Sequence, residues 1–163
     1  MTKAHLDDLD HAIITQLMED GRRSLKDIAA NLNVSAGTVR NRLSRLEGSG
    51  ILRVVGFLDL DQAGIHAYAT IHVRVSPSRM LNQVVETLDA FPEVGFLATV
   101  AGEYNLHVDV QCMDNEHLNA LLHKRIHTIE GVADTKTTMM LKIHKYSQTD
   151  LEALRISAEN LRQ

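Results

Sequence analysis

Along the first fifty positions apolar residues recur with a helical period that is broken twice. Leu9, Ile13 and Leu17 make one stripe behind Asp7, a plausible cap, and ahead of Gly21. This predicts a first helix ending at about Asp20. Ser24-Leu25-Lys26-Asp27 has the form of a capping box, and Ile28, Ala29 and Leu32 follow at helical spacing, so a short second helix ends near Asn33. Ser35 to Thr38 opens a third helix, in which Val39, Leu43 and Leu46 recur at i, i+4 and i+7 before Gly48 and Gly50 stop it. Helices this short wrap little core, and they do so best as a compact triangle.

Beyond Gly50 the period changes. Ile51 to Leu58 is β-branched and apolar and is expected as a strand or wing, and Asp59 to Gly64 reads as a hinge. From His66 to Val75 the chain alternates, with Ala67, Ala69, Ile71, Val73 and Val75 on one face and His66, Tyr68, Thr70, His72 and Arg74 on the other. Ser76-Pro77-Ser78 breaks that strand and starts a helix to about Ala90, with Leu81, Val84, Val85 and Leu88 inward, closed by Phe91-Pro92. Strands Val94 to Ala101 and Asn105 to Gln111 are expected as a hairpin across Gly102-Glu103. A helix from Asn115 to Thr128 buries Leu118, Leu121, Leu122 and Ile126, and a last strand runs from Val132 to His144. The order β-α-β-β-α-β is the ferredoxin-like unit, whose sheet has helices on one face and leaves the other open for a partner.

The fold class is therefore α+β. A winged helix-turn-helix domain occupies residues 1–58, a hinge 59–65, a ferredoxin-like domain 66–145 and an extra amphipathic helix 146–163. In that last helix Thr149 to Glu152 reads as a capping box, and the stripe Leu151, Leu154, Ala158 and Leu161 needs cover from its own domain or from another subunit.

Net charge of -4 argues weakly against a nucleic-acid binder, but its distribution reverses the argument. Between Arg22 and Arg53 there are seven cations (Arg22, Arg23, Lys26, Arg40, Arg42, Arg45, Arg53) against two anions, Asp27 and Glu47. From Asp59 onward nine cations face fourteen anions. A basic head on an acidic body suits a DNA-reading domain joined to one that does something else.

With Val39, Leu43 and Leu46 turned inward, about 100° per residue puts Gly37, Asn41 and Ser44 on the outer face of the third helix, flanked by Thr38, Arg45 and Arg40. No acidic residue interrupts that face. Asn41 has the donor and acceptor pair for an adenine edge, Arg40 or Arg45 suits guanine or phosphate, and Gly37 permits close backbone approach. Any surface helix has a polar side, but the short preceding helix, the tight turn and the charge asymmetry favour DNA. The candidate DNA contacts are Ser35, Gly37, Thr38, Arg40, Asn41, Ser44 and Arg45. Arg42 falls nearer the apolar side and reads as a structural partner of an Asp or of backbone.

Leu6-Asp7-x-x-Asp10-x-x-Ile13-Ile14, then Asp20-Gly21-Arg22-x-Ser24, Ile28-Ala29 and Val34-Ser35-x-x-Thr38-Val39-x-x-Arg42-Leu43, resembles the leucine-responsive regulator/AsnC ("feast/famine") family. Thr99-Val100-Ala101-Gly102-Glu103-Tyr104-Asn105 looks like that family's effector loop, and Ile129-Glu130-Gly131-Val132-x-x-Thr135-x-Thr137 resembles its entry to the last strand. The resemblance covers Leu6 to Lys145. It implies a sequence-specific transcription regulator on pseudo-palindromic double-stranded DNA. It also implies homodimers built through the sheets, assembling to tetramers or octamers, and an amino acid or related metabolite as effector. The implied effector contacts are Thr99, Gly102, Glu103, Tyr104, Asn105, Thr135 and Thr137. The family's loop usually ends in aspartate where this chain has Asn105, which leaves Glu103 as the local anion for an α-ammonium.

No catalysis, cofactor or metal is expected. His66, His72, His107 and His144 could share one side of a sheet, but no Cys joins them, and His123 with His127 lacks the Glu of a zinc hydrolase motif. No apolar run approaches the roughly eighteen residues of a membrane span, and the segment after Met1 lacks the apolar stretch of a secretory signal. The lone Cys112 fits a reducing compartment, so the expected location is cytoplasmic. The alternative function is an architectural, nucleoid-type DNA binder without a ligand.

Overall fold

The computed structural model describes residues 6–145 and 151–161. The chain divides into two compact units, one built from residues up to Phe57 together with the chain from Lys145 onward, the other from Leu58 to His144.

In the first unit, helices α1 (Asp8–Glu19), α2 (Leu25–Asn31) and α3 (Ala36–Gly48) start where the polar caps predict. Asp7 accepts from the Asp10 amide, Ser24 from Asp27 and Ser35 from Thr38, each filling an amide left open in a first turn. Between α2 and α3 the chain reverses through Asn33 at φ 54°, a left-handed position that asparagine tolerates better than most residues, and Val34 N–H returns to Ala29 O at 3.0 Å. Ile13, Leu17, Ile28, Ala29 and Val39 form the buried centre of the triangle, with Leu43 and Leu52 packed at its edge.

Two expectations here are corrected. Ile51 to Leu58 pairs with no strand among the described residues; a wing needs a second strand to take its amides and carbonyls, and the described part of this unit holds helices and no strand. Val55, Phe57 and Leu58 are instead left exposed. Helix α6 (Leu151–Asn160) lies against α1, in the first unit rather than on the ferredoxin-like domain. Of its expected stripe Ala158 is half-buried while Leu154 and Leu161 are exposed, because one short helix touches α1 along only a narrow line. The capping box expected at Thr149 to Glu152 lies outside the described residues.

The second unit is a four-stranded antiparallel sheet in the order β2-β3-β1-β4 (Val94–Thr99, Leu106–Cys112, Ala67–Val75, Val132–Met140). Alternation on β1 sends Ala69, Ile71 and Val73 into a core with Val84 and Leu88 of α4 (Leu81–Asp89) and Leu118 and Leu121 of α5 (Asn115–Leu121). Ile71 and Leu88 are fully buried, and truncating either to alanine costs about 2–5 kcal/mol. Gly131, at φ 97°, lets the chain turn into β4 against α4.

Four boundaries differ from expectation. The hairpin strands stop at Thr99 and resume at Leu106; the last bond across them runs from Val100 N–H to Asn105 O at 2.9 Å, and the residues between form the loop. A single 3-10 turn, Ser78–Met80, precedes α4. The helix after Asn115 widens at Leu122–Ile126 into a π turn, in which His127 N–H reaches Leu122 O at 2.9 Å. Strand β4 ends at Met140, short of His144, because the register with β1 runs out at Tyr68.

Candidate nucleic-acid interface and effector pocket

Ser35 caps α3, and its hydroxyl lies 2.8 Å from that of Thr38, so these two candidates are tied together at the helix start. Gly37, Arg40, Asn41 and Ser44 follow along one exposed side, while Val39 and Leu46 are buried behind them. Six of the seven candidates are exposed and Thr38 is half-buried. Arg40 forms no ion pair among the described residues. The same holds for the exposed Arg22, Lys26 and Arg53, so these cations of the helix-turn-helix segment are free for phosphate.

Arg42 and Arg45 are engaged. Arg42 bonds Asp7, and also Asp10 at 3.2 Å, the structural partnership that its position near the apolar side predicts. Arg45 bonds the other oxygen of Asp10, a carboxylate with no exposed surface, while its own side chain is 52% exposed. The Arg42 guanidinium beside Asp7, with the Asp10 amide, holds the Asp7 carboxyl down at about 2 although burial opposes this. Pattern alone could not show this lattice, since Asp10 looks like any surface carboxylate and its partners lie more than thirty residues away.

In the second unit the loop from Val100 to Asn105 is anchored at its far end. Asn105 donates its amide to Val73 O at 2.9 Å and accepts the Val75 amide on Oδ1 at 2.7 Å. The side chain is thus spent on the backbone of β1, a task that a neutral amide performs as well as a carboxylate. Gly102 and Glu103 are exposed at the loop tip, and Tyr104 Oη donates to Asp134 at 3.4 Å, joining the loop to the start of β4. Burial first, and the Asp134 and Glu103 charges next, push the Tyr104 phenol above its ordinary pKa.

Asp134 also pairs with Arg74 at 3.0 Å. It lines an open pocket of about 310 Å³ with His127, Val132, Ala133 and Thr135, and His127 Nε2 lies 2.8 Å from Thr135 Oγ1. Thr135 therefore lies at a cavity; Thr137 is exposed two residues further along β4. Thr99 is on β2, at the opposite edge of the sheet from β4, so one chain does not bring it to Thr135 and Thr137. Sequence reasoning missed Asp134 and weighed His127 only as a metal ligand, never as a pocket residue. Asp134 had only its place one residue before Thr135 as a signal, and His127 only its place in the last turn of the expected helix.

On the open face of the sheet His72 stands opposite His107, with ring centroids 5.1 Å apart. His107 and Thr70 both bond Asp109, and His72 Nδ1 is buried without a hydrogen-bond partner among the described residues. His66 precedes β1 and His144 follows β4, so the four histidines do not gather. No three metal-ligating side chains cluster among the described residues, and no helix there is long and apolar enough to cross a membrane.

Comparison with known proteins follows the same division. Residues 6–47 match the AsnC-type helix-turn-helix domain family and residues 68–150 the Lrp/AsnC ligand binding domain family. An HTH-type transcriptional regulator of Pyrococcus horikoshii is 34% identical over 145 residues, 88% of this chain and 91% of its own. E. coli AsnC superposes with a TM-score of 0.83 at 22% identity, covering 90% of this chain and 99% of its own. The leucine response regulatory protein of Mycobacterium tuberculosis does so with a TM-score of 0.80 at 26% identity, covering 88% and 98%.

Proposed function

The chain belongs to the Lrp/AsnC family of DNA-binding transcription regulators, and from that premise we propose that it reads a pseudo-palindromic operator as a homo-oligomer whose second unit binds an amino acid or related metabolite. The observation that carries the DNA half is the acid-free outer side of α3 from Ser35 to Ser44, which holds Arg40, in a segment whose Arg22, Lys26 and Arg53 are likewise exposed and without an ion pair among the described residues. In this scheme Asn41 and Arg40 meet base edges in the major groove. Ser35, Gly37, Thr38, Ser44 and Arg45 meet backbone or flank the reading pair.

Two surfaces favour assembly. Val55, Phe57 and Leu58 expose apolar side chains, and the open sheet face carries a buried imidazole nitrogen that lacks a hydrogen-bond partner among the described residues. A dimer imposes its two-fold axis on the operator, so half-sites lie about one helical turn or a multiple apart.

For the effector, the supporting features are the ligand binding domain family match and the pocket beside Asp134. Its volume suits a small metabolite. The Asp134 carboxylate offers a charge-assisted bond to an ammonium, His127 and Thr135 offer polar contacts, and Gly102, Glu103 and Tyr104 approach from the loop. Thr99, Asn105 and Thr137 serve in supporting places. The leucine response named for the mycobacterial relative makes amino acids the first ligands to try.

The test is a titration of the purified chain with labelled duplex at graded salt, joined to a thermal-shift screen of the amino acids with sizing of the oligomer. Salt-dependent, sequence-selective binding and one amino acid that raises the melting temperature are expected. Equal affinity for every duplex would favour the architectural alternative, and a screen without a shift in melting or size would remove the effector.

A further inference from the structure

Asp10 is a carboxylate with no exposed surface, on the first turn of α1, and it faces two guanidinium groups of α3. A buried charge persists only where partners and hydrogen bonds satisfy it. Its orientation is locked: the Asp10 amide donates to Asp7 Oδ1 at 2.9 Å, and Asp10 Oδ2 accepts the Asp7 amide at 3.1 Å. Arg42, shared between Asp7 and Asp10, ties α1 to α3 through Asp10 Oδ1 and leaves on Oδ2, beside the Asp7 amide, a place for a second cation. Arg45 fills it through one terminal nitrogen and keeps its other donors turned toward solvent, beside Asn41 and Thr38 on the helical wheel.

We infer that Asp10 is a positioning residue for DNA reading: it fixes the Arg45 fork on the flank of α3 so that the unused N–H groups meet a backbone phosphate, an inference that presupposes the α3 binding mode proposed above. A phosphate that meets an untethered arginine must also restrict a long side chain, whereas Arg45 is restricted before DNA arrives. The planar fork can hold a carboxylate with one N–H group and a phosphate with the others, which the point charge of lysine cannot reproduce.

Charge and positioning predict opposite signs. Asp10→Asn removes an anion from the DNA-binding unit, so on charge alone it tightens binding; if Asp10 orients Arg45, it weakens binding despite the added positive charge.

The experiment uses full-length wild type, Asp10→Asn, Arg45→Ala, Arg45→Lys and the Asp10→Asn/Arg45→Ala double variant. Each is titrated against a duplex enriched by the wild type from a random pool and against an unrelated duplex, with thermal melting alongside. Asp10→Asn and Arg45→Ala are each expected to lose about tenfold on the enriched duplex, and the double variant no more than about twofold beyond Arg45→Ala. Unchanged or tighter binding by Asp10→Asn, or a double loss near the product of the single losses, about a hundredfold, overturns the inference. If Asp10→Asn does not fold, Arg45→Lys decides: a loss of about fivefold with charge retained supports the fork, and wild-type affinity overturns it. Failure of the wild type to enrich any duplex removes the DNA-reading proposal and this inference together; enrichment without loss in the variants removes this inference alone.

Discussion

Gly131→Ala in the turn entering β4 should destabilise the second unit by about 2–5 kcal/mol, from two separable sources. At φ 97° the residue lies where an L side chain meets its own backbone, a cost of about 1–2 kcal/mol. The added methyl would also stand 2.7 Å from Met80 Cβ and 3.2 Å from Val84 Cγ2. Met80 Cβ is attached to the backbone and cannot swing aside, so α4 or β4 must shift, for about another 1–3 kcal/mol of overpacking. Movement of β4 also drags Val132 to Thr135, which line the pocket, and strains the bond from Ser76 N–H to Gly131 O. Urea unfolding followed by circular dichroism measures the change in midpoint at constant slope. A loss below about 0.5 kcal/mol, the usual range of a neutral surface change, would refute the close approach of α4 to this turn.

Three further outcomes follow from the same packing. Asn105→Asp keeps the acceptor for the Val75 amide and should leave the second unit's stability within about 0.5 kcal/mol, whereas Asn105→Ala leaves that amide unpaired and should cost about 1–3 kcal/mol by the same unfolding assay. Equal effects of the two would contradict the anchoring role. Burial first, then the Glu93 and Asp114 charges, push the Cys112 thiol up to about 11, so a chromogenic disulfide at pH 8 should label it only in denaturant; fast labelling of the native protein would contradict its burial. Asp7, held at about 2, stabilises the first unit above the ordinary carboxylate range near 3.8 and loses that contribution as pH falls through about 2, so Asp7→Asn should flatten acid unfolding between those values.

Much of the architecture was legible because it is written in local chemistry. Asp7, Ser24 and Ser35 mark three helix starts within one residue, since a cap acts on amides two or three positions away. Strict alternation from Ala67 to Val75 identifies a strand buried on one face, and the element order then dictates the sheet. The wing expected at Ile51 to Leu58 shows the limit of that logic, because β-branched residues record a preference for extended backbone and not the presence of a partner strand. The π turn at Leu122–Ile126 was invisible for a related reason: one extra residue in a turn leaves the apolar positions Leu118, Leu121, Leu122 and Ile126 almost unmoved.

At the candidate sites, exposure was easier to anticipate than engagement. Helical spacing puts Arg45 beside Asn41, and the structure keeps it exposed there, but its bond to Asp10 joins elements that only the fold brings together. Asn105 shows the converse case. The family resemblance implies an effector contact there, and nothing in the pattern announces that Oδ1 also takes the Val75 amide at the end of β1. Asp134 carried no signal of its own until Tyr104 and Arg74 were seen to converge on it.

The most direct test of α3 as the DNA-reading element is sequence selection from a random duplex pool by the wild-type chain and by Asn41→Ala in parallel. The wild type should enrich a pseudo-palindrome, and the variant should still bind but lose its base preference at symmetry-related positions within each half-site. An identical enriched motif from both proteins would contradict base reading by this face.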